Sequence, residues 1–363
     1  MISNTDQLRG RLAYNDVSSI NTGATLPAFF TTAPSTAYLA TLSEYHVFSP
    51  LVTNEFRLGY SRFNSNDPVG NQTFPGLDQF PNLVFNNLHL QLGPNSNFPQ
   101  AMIDNVYSGV ENITRLMGNH TIKAGTELRR YIAPERFTMG ERGDYEYTTV
   151  ANYLLDETPD YKAQRTLGTP VYYGDQIATY SYLQDTWRWR QNLTVDLGLR
   201  YEYTTVPDGM QSQRLNAQAS VPGLLTFRAP TASPDGLAPR AGLAYAPGRD
   251  GNTVLRVGFG IAYDVIFDNV GQNTLPPEFS TTVTALPGGS NFLANGGIAQ
   301  IQNQASLTPA QARALTSSYI PDQALPYSIN WNFGIQRILA KDYTLEVRYL
   351  GTQRGASVIA RGA

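Results

Sequence analysis

The chain has 363 residues, with 26 Lys and Arg against 29 Asp and Glu and a formal net charge of -3. That balance excludes a basic nucleic-acid binder and an acidic tail protein. Charged residues make up only 15%, against about 25% in an ordinary soluble domain, and the absence of cysteine removes disulfide scaffolds, thiol catalysis and zinc–cysteine sites. No run of about 18 apolar residues exists, so no transmembrane helix is expected. The start, Met1 to Asp6, has neither a basic nor an apolar leader region, which is what an internal segment of a longer protein shows.

The strand signals follow one another along the whole chain. Weak candidates lie at 7–15 and 38–48. Phe56, Leu58 and Tyr60 then alternate with Glu55, Arg57, Gly59 and Ser61. After a weak candidate at 104–116, Ile122, Ala124, Thr126 and Leu128 alternate with Lys123, Gly125, Glu127 and Arg129. The segment 175–188 has ambiguous parity, with Tyr180 and Tyr182 favoured as outward-facing. The clearest case is Leu193 to Tyr203, where every odd residue is apolar or aromatic and every even residue is polar, charged or glycine. Such a strand has one dry and one wet face, and its length matches the ~9–11 residues of a tilted bilayer-crossing strand. A weak candidate at 238–246 precedes Leu255–Tyr263, Trp331–Ile335 and Leu345–Tyr349, which alternate in the same way. The total is about eleven strands, counted by period-two alternation.

Glycines of these strands fall on the polar face (Gly59, Gly125, Gly198, Gly242, Gly258, Gly260, Gly334), and so do charges of both signs. On the apolar face, charge is expected only near strand ends, at Arg62, Arg130 and Arg337. A wet lumen tolerates glycine and charge together, whereas lipid penalises a mid-strand Arg or Lys by about 2–4 kcal/mol. Short connections at 49–53, 117–119, 189–192, 247–252 and 340–342 alternate with long ones at 16–37, 64–103, 132–174, 205–237 and 265–327. Brief turns at one rim and large loops at the other mark an up-and-down barrel. Helical patches are expected at Val150–Asp156 and at Thr308–Leu315, the latter with Thr308 as N-cap and Pro309 at the first helical position. No domain boundary is visible, so residues 1–363 read as one barrel segment.

Several segments resemble the barrel of TonB-dependent outer-membrane receptors, especially the Oar-like branch. They are Asn54–Tyr60, Gly118–Gly125, Tyr182–Arg188, Asn192–Glu202, Leu237–Pro247, Thr253–Gly260 and Trp331–Arg337. Their occurrence in order over nearly the whole chain carries the resemblance. It implies an all-β, transmembrane antiparallel barrel in the bacterial outer membrane. The family barrel has about 22 strands and a plugged lumen, so this chain would supply about eleven strands of an open partial barrel, without the plug. The implied partners are outer-membrane lipid, the plug domain and TonB complex of the full-length parent, and an unknown ligand; nucleic acid is not among them. Neither cofactor nor metal is implied, and no catalytic residue.

Two groups of residues are candidates for function. Tyr145, Tyr147, Tyr161, Tyr172 and Tyr173, in the tyrosine-rich loop 132–174, suit ligand capture, because tyrosine gives amphipathic contact at low entropic cost. Arg57, Glu127, Arg129, Arg200, Arg256 and Arg348 face the lumen on the alternation. They either line a substrate path or form a cross-strand ion-pair ladder that braces the wall and meets the plug; interleaved signs favour the ladder. His46, His89 and His120 show no metal-ligand spacing, and Ser43 points away from Glu44 and His46 on a strand. Gly258-x-Gly260 lies mid-strand and opens no helix, so it is no phosphate loop. The alternative readings are a passive porin or adhesin barrel, and a soluble all-β binding domain.

Overall fold

The structure is a computed structural model that describes residues 3–70, 75–137, 139–168, 171–211, 231–248, 251–265, 280–298, 317–319, 325–355 and 359–361. Eleven long strands form its wall: β1 (Asp6–Asn21), β2 (Thr31–Ser49), β3 (Val52–Asp67), β4 (Gln100–Met117), β5 (His120–Ile132), β6 (Gln176–Arg190), β7 (Leu193–Thr204), β8 (Leu237–Tyr245), β9 (Thr253–Tyr263), β10 (Tyr327–Ala340) and β11 (Tyr343–Gly355). Each pairs antiparallel with its sequence neighbours, in the order β1 to β11. Among the described residues the meander does not close: β1 pairs only with β2, and β11 only with β10. An odd strand count makes β1 and β11 run the same way, so antiparallel closure would take an odd number of further strands.

Register carries the apolar face across every seam. One row of directly opposed residues runs Leu12, Ala40, Tyr60 and Tyr107. Farther along, Leu183 faces Leu199, Val195 faces Leu243, Leu243 faces Val257, Val257 faces Phe333, and Phe333 faces Tyr349. Opposed residues share a face, so a one-residue slip at any seam would invert all that follows. Among the described residues nothing covers this face. Leu197, Phe259, Phe333 and Val347 are 55%, 43%, 43% and 61% exposed. A water-soluble sandwich would bury these side chains under a second layer, and an exposed apolar face of this extent marks contact with another apolar phase. Among the described residues no helix is long and apolar enough to cross a membrane.

The expected parity needs one correction. Tyr180 pairs with Glu127 and Glu202, and Tyr182 with Gly125 and Arg200, so both tyrosines belong to the polar face. Ile177, Leu183 and Trp187 occupy the apolar face instead. Charge also reaches the apolar face away from the expected strand ends: Glu44 opposes Phe56, Phe56 opposes Glu111, and Asp185 opposes Leu197. Each is held by polar neighbours. Glu111 accepts from Asn54 and Asp185 pairs with His120, while Glu44 lies beside Asp6 and His46.

The turns at 50–51, 118–119, 191–192, 246–252 and 341–342 match the short connections, with Gly118 at φ 58 supplying the positive φ that a two-residue hairpin needs. Two of the long connections, those expected at 16–37 and 64–103, are shorter than expected, because β1 to β4 continue past the apolar band. Asn21 still pairs with Thr31, and Asp67 with Gln100. A 5-stranded sheet of short strands crowns that rim, in the order Ser280–Thr284, Lys162–Gly168, Asp144–Tyr147, Asn82–Phe85 and Leu90–Leu92. Two further strands, Pro134–Phe137 and Val171–Tyr173, extend the wall, and Ser317–Tyr319 pairs with Ile359–Arg361. The helix Val150–Leu154 forms where expected; the expected helix at Thr308–Leu315 lies outside the described residues.

The two faces should respond differently to charge. Val257→Arg, at the centre of the apolar face, should destabilise the chain folded in lipid vesicles by about 2–4 kcal/mol in denaturant titrations. Arg256→Ala, one residue away on the polar face, should cost less than about 1 kcal/mol. Equal costs would mean that Val257 does not meet lipid.

Candidate functional site

The six charged residues expected on the wet face all lie on the polar face of the wall. Alternation places an Arg and a Glu two apart on one strand, and their side chains pair along the strand. Arg129 Nε reaches Glu127 at 2.6 Å, Arg200 Nε reaches Glu202 at 2.7 Å, and Arg348 Nε reaches Glu346 at 2.6 Å. Arg57 pairs with Glu55 in the same way. The expected cross-strand ladder is therefore mostly an along-strand one. Arg256 is the exception: it donates to Gln336 at 2.7 Å and stands 3.9 Å from Glu346, two strands away. Gly334 lies directly between Arg256 and Arg348 in register.

Tyr180 and Tyr182 connect these pairs. The Arg200 guanidinium lies 4.7 Å from the centre of the Tyr180 ring and that of Arg129 lies 5.4 Å away, so both cations meet one aromatic face system. The Tyr182 hydroxyl donates to Asn112 Oδ1 at 2.8 Å. To reach β4 from β6 the ring crosses β5 over Gly125, where an added methyl group would stand 2.6 Å from the ring. Asn112 in turn donates to Glu55 at 3.3 Å. One polar network thus runs from Arg57 on β3 to Tyr182 on β6. The shared parity of Ile177, Leu183 and Trp187 was the signal that could have placed these tyrosines.

The loop tyrosines divide into two sets. Tyr145 and Tyr147 are buried in the crown with Leu83, Phe85, Ala163, Phe292 and Ile298. Burial pushes the phenol pKa of both above the ordinary value. The Tyr145 hydroxyl accepts from the Ile298 amide at 3.0 Å. Tyr172 is also buried, whereas Tyr161 and Tyr173 are exposed. The crown is one body because its loops share this core and are tied by polar clamps. Buried Arg142 donates to the carbonyls of Phe80 (2.6 Å), Asn95 (2.8 Å) and Phe98 (2.8 Å). The Asp156 carboxylate accepts from the amides of Leu293 (2.7 Å) and Ala294 (3.0 Å). A second cluster, Ala24, Phe29, Val69 and Leu77, joins the first loop to the next.

Two histidines find carboxylates that are remote in sequence. His46 Nδ1 lies 2.5 Å from Asp6 Oδ1, 40 residues away, and Glu44 completes a group whose ligand-type atoms lie within 4.8 Å of one another. His120 Nδ1 lies 2.7 Å from Asp185 Oδ2, and its ring stacks 5.2 Å from that of Trp187. Sequence spacing gave no sign of either pair. Ser43 lies in register with Arg57, on the face opposite Glu44.

The crown should be the first part to yield. Arg142→Leu leaves several buried carbonyls without a donor, at about 1–3 kcal/mol each, so proteolysis within 138–168 should accelerate by at least tenfold while the wall stays resistant. Acid should act similarly through Asp160. Partial burial pushes its pKa up, but bonds from the Thr148 hydroxyl and amide and from Asn152 outweigh this and hold it below the ordinary 3.8. A depressed carboxyl stabilises above its unfolded pKa and is lost as pH falls through the folded value. Amide exchange at Thr148 should therefore rise only below about pH 4, and Asp160→Asn should remove that step.

Comparison with known proteins agrees with this architecture. A family model described as an outer membrane beta barrel domain matches residues 1–360. No curated protein matches. Among solved structures, the outer membrane transporter YddB from Escherichia coli superposes with a TM-score of 0.55 at 11% identity, over 96% of this chain and 38% of that one. The copper transporter OprC gives 0.50 at 11% identity, over 93% of this chain and 41% of that one. The chain thus spans about two fifths of the length of these structures. A wall apolar on its uncovered face, charged on the other and crowned at one rim belongs in the bacterial outer membrane, and the chain is a member of the outer membrane beta-barrel domain family.

Proposed function

We propose that this chain is the wall and outer-loop portion of a TonB-dependent outer-membrane receptor of the Oar-like branch. The observation that carries the reading is the crown. Loops from several hairpins share one core and keep Tyr161 and Tyr173 exposed at the long-loop rim. A rim built in this way presents a fixed surface to a ligand, whereas independent loops would not. The ordered run of family-like motifs and the fold likeness to outer-membrane transporters support the same reading. In the full-length parent, the crown would capture a scarce ligand. The polar wall, with its Arg–Glu pairs and the Tyr180 and Tyr182 network, would face the plug. The inner-membrane TonB complex would then drive release by acting on the plug. No bond is made or broken in this cycle, so it uses no catalytic residue.

Uptake assays on cells expressing the full-length parent test the proposal. Ligand accumulation should stop when a protonophore collapses the proton gradient. Tyr161→Ser combined with Tyr173→Ser should weaken ligand binding to the cells about tenfold, as loss of two aromatic contacts implies. Accumulation that persists with the protonophore present would move the chain to the passive porins.

A further inference from the structure

The apolar face of β1 to β3 holds a groove of about 670 Å³ that nothing in the wall or crown uses. It lies between two register rows, Gly10–Leu42–Leu58 and Leu12–Ala40–Tyr60. Gly10 and Ala40 stand diagonally across the β1–β2 seam and leave the gap; a methyl group on Gly10 would meet nothing within 4 Å. The groove therefore comes from residue size and not from a break in pairing.

Directly toward the crown, the same face becomes aromatic and basic. The next row is Tyr14, Tyr38, Arg62 and Asn105, and the row of Tyr60 continues through Tyr107 to Arg130. Tyr14 and Tyr38 rings lie 5.0 Å apart, and Tyr60 and Tyr107 rings 4.9 Å apart. Tyrosine clusters of this kind sit at the level of lipid headgroups. Arg62 donates to Asn105 Oδ1 at 2.9 Å, as does the Tyr60 hydroxyl at 3.1 Å. Arg130 stands 3.5 Å from Asp175. Among the described residues this is the one ion pair at the two arginines, so Arg62 has no carboxylate partner; Asp16, one row nearer the crown on β1, accepts instead from the Tyr14 hydroxyl at 3.1 Å.

We propose that the groove and these arginines form a site for one phosphate-bearing membrane lipid, its phosphate at Arg62 and Arg130 and an acyl chain lying over Gly10 and Ala40. The membrane itself supplies this occupant, and the charge complementarity selects among its lipids. A zwitterionic headgroup would bring a second cation to a site already carrying one, so an acidic lipid is preferred. An acyl chain fits the groove because Leu12, Ala40, Leu42 and Leu58 give it an aliphatic floor, although Arg11, Thr41 and Tyr60 also border it. The inference rests on membrane placement alone and is independent of whether the parent transports anything.

Native mass spectrometry of the full chain in detergent micelles, with phosphatidylglycerol or phosphatidylcholine added, provides the test. One phosphatidylglycerol per chain should remain bound at collision energies that strip phosphatidylcholine. Arg62→Gln with Arg130→Gln should lower the retained fraction about tenfold. Ala40→Leu, which fills the groove without touching a charge, should lower it to a similar degree, and inorganic phosphate should not compete. Equal retention of the two lipids, or retention unchanged in Ala40→Leu, would overturn the proposal. Competition by inorganic phosphate would also overturn it, since the arginines would then bind a free anion without the groove.

Discussion

Everything in this structure depends on the coupling of two periodicities, the alternation of side chains along each strand and the register between strands. A membrane wall must satisfy its backbone polar groups internally, because hydrocarbon offers no substitute. The hairpin meander does this at every seam from β2 to β10. The sequence then has one remaining degree of freedom, which face each residue meets. Because directly opposed residues share a face, the choice made by Leu193–Tyr203 propagates in both directions, to Leu12 at one edge and Val347 at the other. The exposed apolar face follows from that coupling and does not need a hydrophobic core to stabilise it.

The polar face solves a different problem. Charges of both signs stand close together there, and Arg57, Arg129, Arg200 and Arg348 are each satisfied by a Glu of their own strand and face. Pairing along the strand leaves the neighbouring strand free to offer a glycine or an aromatic ring. Gly125 gives passage to Tyr182, whose ring an added methyl group would meet at 2.6 Å. Glycine in a strand interior costs about 0.5–1 kcal/mol relative to alanine. Here that cost is offset by bonds that cross a whole strand, such as Tyr182 to Asn112.

The wall was legible in the sequence because alternation is local. Leu193–Tyr203, Leu255–Tyr263 and the turn at Gly118 needed only their own neighbours to be read. Tyr180 and Tyr182 were misplaced because aromatic rings suit both an interface girdle and a cation-rich interior. Only the register with Glu127 and Arg200 decides between them. The strand extensions at 16–21 and 31–37 were invisible for a related reason: above the apolar band neither face is lipid, so alternation fades while backbone pairing continues. The crown was the least legible part. Its core joins Phe85, Tyr147 and Phe292, which come from three different long connections. No spacing rule reaches across such distances.

The open edges and the crown bear on one another. Among the described residues β1 and β11 each leave one edge of the meander unpaired, and exposed edges invite pairing with any available strand. The crown ties β2, β3, β4 and β5 through loops that share Ala24, Phe29, Val69 and Leu77 and then the Leu83–Tyr147 core. Its described strands reach the far half of the wall only through the segment 280–298, held by the Asp156 carboxylate and by Arg165, which donates to the Ile298 carbonyl at 3.0 Å. The half nearest β1 is thus braced from above as well as along its seams. Among the described residues the half nearest β11 depends on its hairpins and the Arg256–Glu346 contact. Opening of the wall should therefore begin at β10 and β11.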